Sequence, residues 1–211
     1  MSIFEEMGSF LQQGRAPKVK ELVAQALADG EDAGKILSEG LLSGMAVIGA
    51  KFKNNEVYVP EVLIAARAMN AGMEILKPAL QSSDVKARGK AILGTVKGDL
   101  HDIGKNLVKI MLEGKGIEVV DLGTDVAPEA FVQAAVEQSA NIIACSALLT
   151  TTMGVMKDVV DKAVEMGVRD KFRIMIGGAP VTENYKDSIG ADYYAPDAAS
   201  ASDIALQICT A

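Results

Sequence analysis

Histidine occurs once in the 211-residue chain, at position 101, inside Lys97-Gly98-Asp99-Leu100-His101-Asp102-Ile103-Gly104. An imidazole changes charge near neutral pH and ligates metals through either ring nitrogen. A carboxylate two residues earlier on a loop can fold back to accept a hydrogen bond from one nitrogen, leaving the other as a lone-pair donor. A lone histidine is most often a surface or satisfied core residue, and the Asp99 spacing is what lifts this one above that reading. One protein ligand does not hold a bare ion. Zinc usually takes three or four, and the flanking carboxylates make a poor zinc set, so a metal here has to arrive inside a macrocycle. Cys145 and Cys209 fall in apolar stretches without CxxC spacing, which suggests core thiols and neither a zinc site nor a disulfide framework.

The elements that must position this segment divide the chain in two. Up to about Leu80 the pattern is helical, with helices expected over Ile3 to Gln13, from Pro17 to Asp29, over Asp32 to Lys53, and from Pro60 to about Pro78. Short loops between them suggest an antiparallel four-helix bundle. Gln81 to Lys90 is polar and aperiodic and reads as an interdomain linker. Beyond it, short apolar runs at Ala91 to Val96, Ile117 to Leu122, Asn141 to Ala147, Arg173 to Ile176 and Asp192 to Tyr194 read as buried strands. Helical stretches follow each, at Ile103 to Gly114, Pro128 to Ser139, Met153 to Met166, Val181 to Ile189 and from Ala199 onward. The expected fold is therefore α/β: a helical bundle over residues 1–88, then a doubly wound, five-stranded parallel sheet over 89–211, of the Rossmann or flavodoxin-like kind.

Such sheets bind ligands beyond the carboxyl ends of their strands. The histidine segment lies there, as do Ser146-Ala147-Leu148, Thr150-Thr151-Thr152, Gly177-Gly178-Ala179 and Pro196-Asp197-Ala198. Gly177-Gly178 by itself is an ordinary strand-to-helix turn.

Composition excludes several classes. With 21 basic and 28 acidic residues the net charge is −7, and no Lys/Arg cluster stands out, which argues against nucleic acid and anionic membrane as partners. The start, Met1-Ser2-Ile3-Phe4-Glu5-Glu6, has no basic region ahead of an apolar one, and no apolar run is of membrane-spanning length. A cytoplasmic protein is expected. Only 4% of residues are aromatic and ten are Met, so the methionines read as core filling in place of rings.

The motifs also stand in register with a known pattern. D-x-H-x-x-G at 99–104 is followed by S-x-L at 146–148 after 41 residues, and by G-G at 177–178 after 28 more. In this the chain resembles the corrinoid (cobalamin-binding) proteins of methyltransferase systems. These are similar to the B12-binding module of methionine synthase and include the small methanol, methylamine and O-demethylase corrinoid proteins. The resemblance extends to the helical region through Glu39-Gly40-Leu41-Leu42, Gly44-Met45 and Tyr58-Val59-Pro60-Glu61.

The resemblance implies a cobalamin or related corrinoid, methylcobalamin in turnover, with His101 binding cobalt from below in place of the corrinoid's own base. Asp99 would support His101, and Thr152 would hydrogen-bond Asp99. Methionine synthase has Ser at that place, and the threonine methyl restricts the rotamer. The signature segment Gly98, Leu100, Asp102, Ile103 and Gly104 would contact the cofactor. Its nucleotide tail would enter a cleft lined by Gly98, Ser146, Leu148, Thr150, Gly177, Gly178 and Ala198. Phe52 and Val59, with Glu39 as a polar contact, would face the upper side from the bundle.

The implied function is a methyl carrier, not a complete enzyme alone. Co(I) would take a methyl group from a substrate:corrinoid methyltransferase. Methyl-Co(III) would then deliver it to a corrinoid:tetrahydrofolate methyltransferase, with a reductive activase as third partner. The bundle would move through the 81–90 linker to open the upper face. Other readings stay open on sequence alone: the cobalamin subunit of a mutase, a cobalamin-dependent sensor, or a flavodoxin-like domain without cobalt, which leaves His101 unused.

Overall fold

The computed structural model describes residues 2–81 and 87–210. The chain forms two compact units, Met1–Lys86 and Ala87–Ala211. Residues 82–86 of the expected linker lie outside the described residues. At its ends that segment belongs to regular structure: Gln81 ends a helix, while Gly89 and Lys90 open a strand. Polar composition hides this strand start because Gly89 and Lys90 pair with Ile117 and Glu118 at a half-exposed end of the sheet.

In the first unit, α1 (Ile3–Gln12) starts at a reciprocal cap. The Ser2 hydroxyl accepts from the Glu5 N–H, and the Glu5 carboxylate accepts from the Ser2 N–H. After α2 (Ala16–Ala28), with Pro17 in its first turn, comes one rod formed by α3 (Ala33–Lys35), a π-helical segment (Ile36–Leu42) and α4 (Ser43–Lys53). The sequence spacing predicts a regular helix here, and the structure differs. Ile36, Gly40, Leu41 and Leu42 are buried along this segment, whose hydrogen bonds span one residue more than those of an α turn. The Ser43 hydroxyl donates back to the Glu39 carbonyl at 2.5 Å. The rod meets α1 at glycines: a Cβ on Gly44 would lie 2.9 Å from the Gly8 Cα. Finally, α5 (Val59–Gln81) runs past Pro78, the residue at which the sequence reading ends it. Pro78 forgoes the bond an N–H would have made to the Glu74 carbonyl and its ring crowds that carbonyl, a cost the helix bears in its last turn. α2 packs along α5, and Met7, Val19, Val23, Leu41, Val62 and Leu76 are fully buried.

The second unit alternates β1 (Gly89–Thr95), α6 (Ile103–Glu113), β2 (Ile117–Asp121), α7 (Pro128–Glu137), β3 (Ile142–Ser146), α8 (Gly154–Glu165), β4 (Arg173–Gly177), α9 (Glu183–Ile189), β5 (Tyr193–Ala195) and α10 (Ala198–Thr210). All strands are parallel, in the order β2-β1-β3-β4-β5. Successive residues point to opposite faces, which explains the unbroken apolar runs. Ile92, Ile143, Ile174 and Ile176 join Phe131, Val132, Met156 and Val159 of α7 and α8 on one face. Ala91, Leu93, Ile142 and Met175 join Leu112 of α6 and Ala201 and Ala205 of α10 on the other. β1 has β2 on one side and β3 on the other, so the crevice at their carboxyl ends is where a doubly wound sheet takes a ligand. Among the described residues, no helix is long and apolar enough to cross a membrane.

Gly178 follows β4 at φ 132°, where an added Cβ would lie 1.8 Å from the Ala147 carbonyl oxygen; Gly154, at the start of α8, has open space around it. We expect Gly178→Ala to lower stability by about 2–4 kcal/mol in urea titrations. Gly154→Ala should leave it unchanged or raise it by up to about 1 kcal/mol. Equal effects would contradict this account of the strand end.

Candidate functional site

Thr95 ends β1, and the chain then crosses to α6 through 96–102. This loop turns inward because the Asp99 N–H donates to the Val96 carbonyl at 3.1 Å, which drives the Asp99 side chain into the crevice, 0% exposed. A buried carboxylate needs donors on both oxygens, and it has them. Oδ1 accepts the His101 backbone N–H at 3.0 Å and faces His101 Nδ1 at 2.7 Å. Oδ2 accepts the N–H groups of Leu148 and Leu149 at 2.8 and 3.2 Å and faces the Thr152 hydroxyl at 3.1 Å. That hydroxyl also lies 3.0 Å from the Leu149 carbonyl, so its single proton is shared between two acceptors.

Burial pushes the Asp99 carboxyl up, but the hydrogen bonds from Leu148, His101 and Thr152 outweigh it and hold the group well below the usual carboxylate range. Asp99 is therefore an anion that orients the imbedded face of the ring: Nδ1 is tied to it, while Nε2 points away on a side chain 52% exposed. The His101 carbonyl is held too, by the Thr95 hydroxyl at 2.8 Å. Lys105, buried two residues into α6, reaches both oxygens of Asp121 at the end of β2, at 2.6 and 2.7 Å. Burial raises the Asp121 carboxyl and the Lys105 contact more than reverses that. The pair anchors the start of α6 directly after the histidine.

The other segments converge through the sheet register. Thr95 pairs with Ser146, Ser146 with Gly177, and Gly177 with Ala195, giving a row of small residues across four carboxyl ends. Gly178 lies against the Ala147 carbonyl, Gly98 (φ 84°) beside the Thr152 methyl, and Ala198 opens α10. Thr150 is exposed in the turn between β3 and α8. Asp102 is occupied otherwise, its carboxylate accepting from the Asn106 side chain at 3.1 Å. In the helical unit, Glu39 is exposed on the π segment, while Phe52 and Val59 are half-buried.

Around His101 the surface is unusually apolar: Leu100 is 74% exposed, Ile103 79% and Leu148 43%. Gly104 has no atom within 4 Å of where a Cβ would be, so nothing in the chain's own packing requires a glycine there. Among the described residues, no group of three or more His, Cys, Asp or Glu side chains could hold a metal ion. The donor set therefore fits a flat, largely apolar ring that brings its metal and needs one axial nitrogen.

Thr95 and Leu149 are parts of this site that sequence reasoning missed. Thr95 looks like a strand residue until the register sets it beside Ser146, and Leu149 acts through its backbone, for which side-chain patterns carry no signal.

Known proteins resemble this chain in sequence and fold. Two family models, each described as a B12 binding domain, match residues 89–203 and 3–77. A corrinoid protein of Desulfitobacterium hafniense is 38% identical over 211 residues, 99% of this chain and 98% of that protein. Trimethylamine corrinoid protein 1 of Methanosarcina acetivorans is 42% identical over 190 residues, 89% of this chain and 87% of that one. Among solved structures, a chain of the methanol:cobalamin methyltransferase complex from Methanosarcina barkeri superposes with a TM-score of 0.89 at 30% identity, covering 98% of this chain and 79% of that one.

Two substitutions at Asp99 separate its charge from its shape. Asp99→Ala leaves the buried N–H groups of Leu148 and Leu149 without an acceptor and should cost about 3–5 kcal/mol in chemical unfolding. Asp99→Asn should fold, but its amide nitrogen would donate to His101 Nδ1 and move the ring proton to Nε2, a shift that 15N NMR of the imidazole detects. Because the native carboxyl titrates below its unfolded value, its stabilisation is full above about pH 4 and is lost as pH falls through the lower native value. The stability advantage of wild type over Asp99→Asn should thus be flat near neutrality and shrink in acid. An advantage that grows in acid would contradict the assignment.

Proposed function

We propose, from the premise that the chain belongs to the B12-binding family of corrinoid proteins of methyltransferase systems, that it carries methyl groups on its corrinoid between partner enzymes. The observation that carries this reading is the pairing of His101 Nδ1 with the buried Asp99 anion at 2.7 Å, which leaves Nε2 free among exposed Leu100, Ile103 and Leu148. When bound, the corrinoid supplies a cobalt centre able to accept a methyl group and pass it on.

His101 is the proposed lower ligand. With its proton on Nδ1, donated to Asp99, it offers the Nε2 lone pair. The Asp99 carboxyl beside the ring is held far below the usual range, so it remains the anion that would orient the imidazole toward the metal. The Asp99–His101 pair would thus present Nε2 to the cobalt in a fixed direction, with Thr152 steadying the far carboxylate oxygen. Gly98, Ser146, Thr150, Gly177, Gly178 and Ala198 are proposed to line the path of the nucleotide tail. Residues 89–211 are proposed as the corrinoid domain and residues 1–88 as its cap, with Glu39, Phe52 and Val59 as contacts to the upper face.

The proposed partners are a substrate:corrinoid methyltransferase, a corrinoid:tetrahydrofolate methyltransferase and a reductive activase, all in the cytoplasm. The first draws support from the likeness to a chain of a methanol:cobalamin methyltransferase complex. In this arrangement the partner, and not this chain, selects the methyl donor.

Reconstitution with hydroxocobalamin tests the reading. The wild type should retain corrinoid through desalting, and its Co(II) form should show splitting from one axial nitrogen in electron paramagnetic resonance. His101→Ala should keep corrinoid but lose that splitting. Failure to retain corrinoid would overturn the function, whereas splitting that survives His101→Ala would overturn only the ligand assignment.

A further inference from the structure

Among the described residues, Asn55, Asp125 and Ser139 are the non-glycine residues with positive φ. Asn55 and Ser139 follow the ends of α4 and α7, where a left-handed residue is a common helix ending. Asp125, at φ 56°, follows no helix and lies in the connection between β2 and α7. Aspartate tolerates this conformation at modest cost, and a cost kept at such a place calls for a reason.

The reason is a two-handed grip on the histidine loop. The Asp125 carboxylate accepts from the Gly98 N–H at 2.7 Å, and the Asp125 N–H donates to the Asp99 carbonyl at 3.0 Å. One residue therefore holds both sides of the Gly98–Asp99 step, which contains a glycine at φ 84° and has little stiffness of its own. Asp125 is itself anchored. Thr95 donates its N–H to the Gly123 carbonyl at 2.9 Å, and Val126 returns an N–H to the Thr95 carbonyl at 3.0 Å. The β3 side of the crevice fixes the Asp99 side chain through Leu148, Leu149 and Thr152. The β2 side fixes its main chain through Asp125.

We propose that Asp125 is a positioning residue for His101: it fixes the backbone of Asp99 and so sets the direction of Nε2. This rests on the corrinoid reading above. The bonds Asp125 makes to this loop go to Gly98 and Asp99, so its effect on His101 passes through that step.

Two variants test it, in the full chain. Asp125→Gly keeps the left-handed backbone and removes the acceptor; Asp125→Asn keeps an acceptor oxygen and tolerates the same φ. In the apoprotein, amide hydrogen exchange at Gly98 should quicken about five- to ten-fold in Asp125→Gly and stay near wild type in Asp125→Asn. After loading with hydroxocobalamin and reduction to Co(II), the fraction of signal split by an axial nitrogen should fall in Asp125→Gly and be restored in Asp125→Asn. Wild-type behaviour of Asp125→Gly in either measurement overturns the proposal, as does equal damage by both variants. Loss of cooperative thermal unfolding in Asp125→Gly also overturns it, since the residue would then serve the fold. Failure of the corrinoid reading looks different: the wild type itself would then lack nitrogen splitting.

Discussion

A carboxylate with no exposure to water has to be satisfied on every side, and Asp99 organises the sheet unit's active end around that requirement. Its donors come from its own loop, from the turn after β3 and from the first residues ahead of α8. None of these segments can shift without leaving a buried polar group unpaired, at a cost on the order of 1–3 kcal/mol per group. The histidine is fixed as a consequence, held by Asp99 at the ring and by Thr95 at the carbonyl. A single ionised group thus joins two strand ends that lie on opposite sides of the topological switch.

The same crevice asks for opposite things of its two surfaces. Between the strand ends, bulk is disfavoured: a Cβ on Gly178 would lie 1.8 Å from the Ala147 carbonyl oxygen, which leaves no room for a side chain, and one on Gly177 would lie 3.0 Å from the Ala195 carbonyl oxygen, a tight fit. Around the histidine, large apolar side chains are left uncovered, with Leu100 and Ile103 among the most exposed hydrophobic residues described. A monomer rarely leaves such a patch bare without a ligand to cover it. The contrast between a narrow slot and a broad apolar rim matches a flat ring with a thinner appendage, which is the shape of a corrinoid and its nucleotide.

Much of this was legible in the sequence, for physical reasons. Fully buried parallel strands are continuous apolar runs, and glycines at strand ends mark close backbone approaches, so the fold class and the convergence of residues 98–104, 146–152 and 177–178 could be read directly. What escaped was whatever depends on backbone partners or on register. The π segment at Ile36–Leu42 is one inserted residue in an otherwise helical spacing. Pro78 reads as a helix end, whereas the helix absorbs it in its last turn. Thr95 and Asp125 hold the site by side-chain bonds to main-chain atoms of the histidine loop, and Leu149 by its own N–H; no residue-type pattern distinguishes such bonds from those of an ordinary loop.

A carrier has to let go of its metal on one side without losing the cofactor, and the geometry separates those two tasks. Only one nitrogen is offered, so on the proposed reading breaking that bond removes one axial interaction and nothing else. Retention then falls to contact area: apolar burial contributes about 2.5 kcal/mol per 100 Å², and Leu100, Ile103 and Leu148 alone present several exposed side-chain faces. A second strong ligand would have tied release of cobalt to release of the whole group. The rigid support of Asp99 completes this division, because a histidine fixed in place can be bonded or free without the loop rearranging around it.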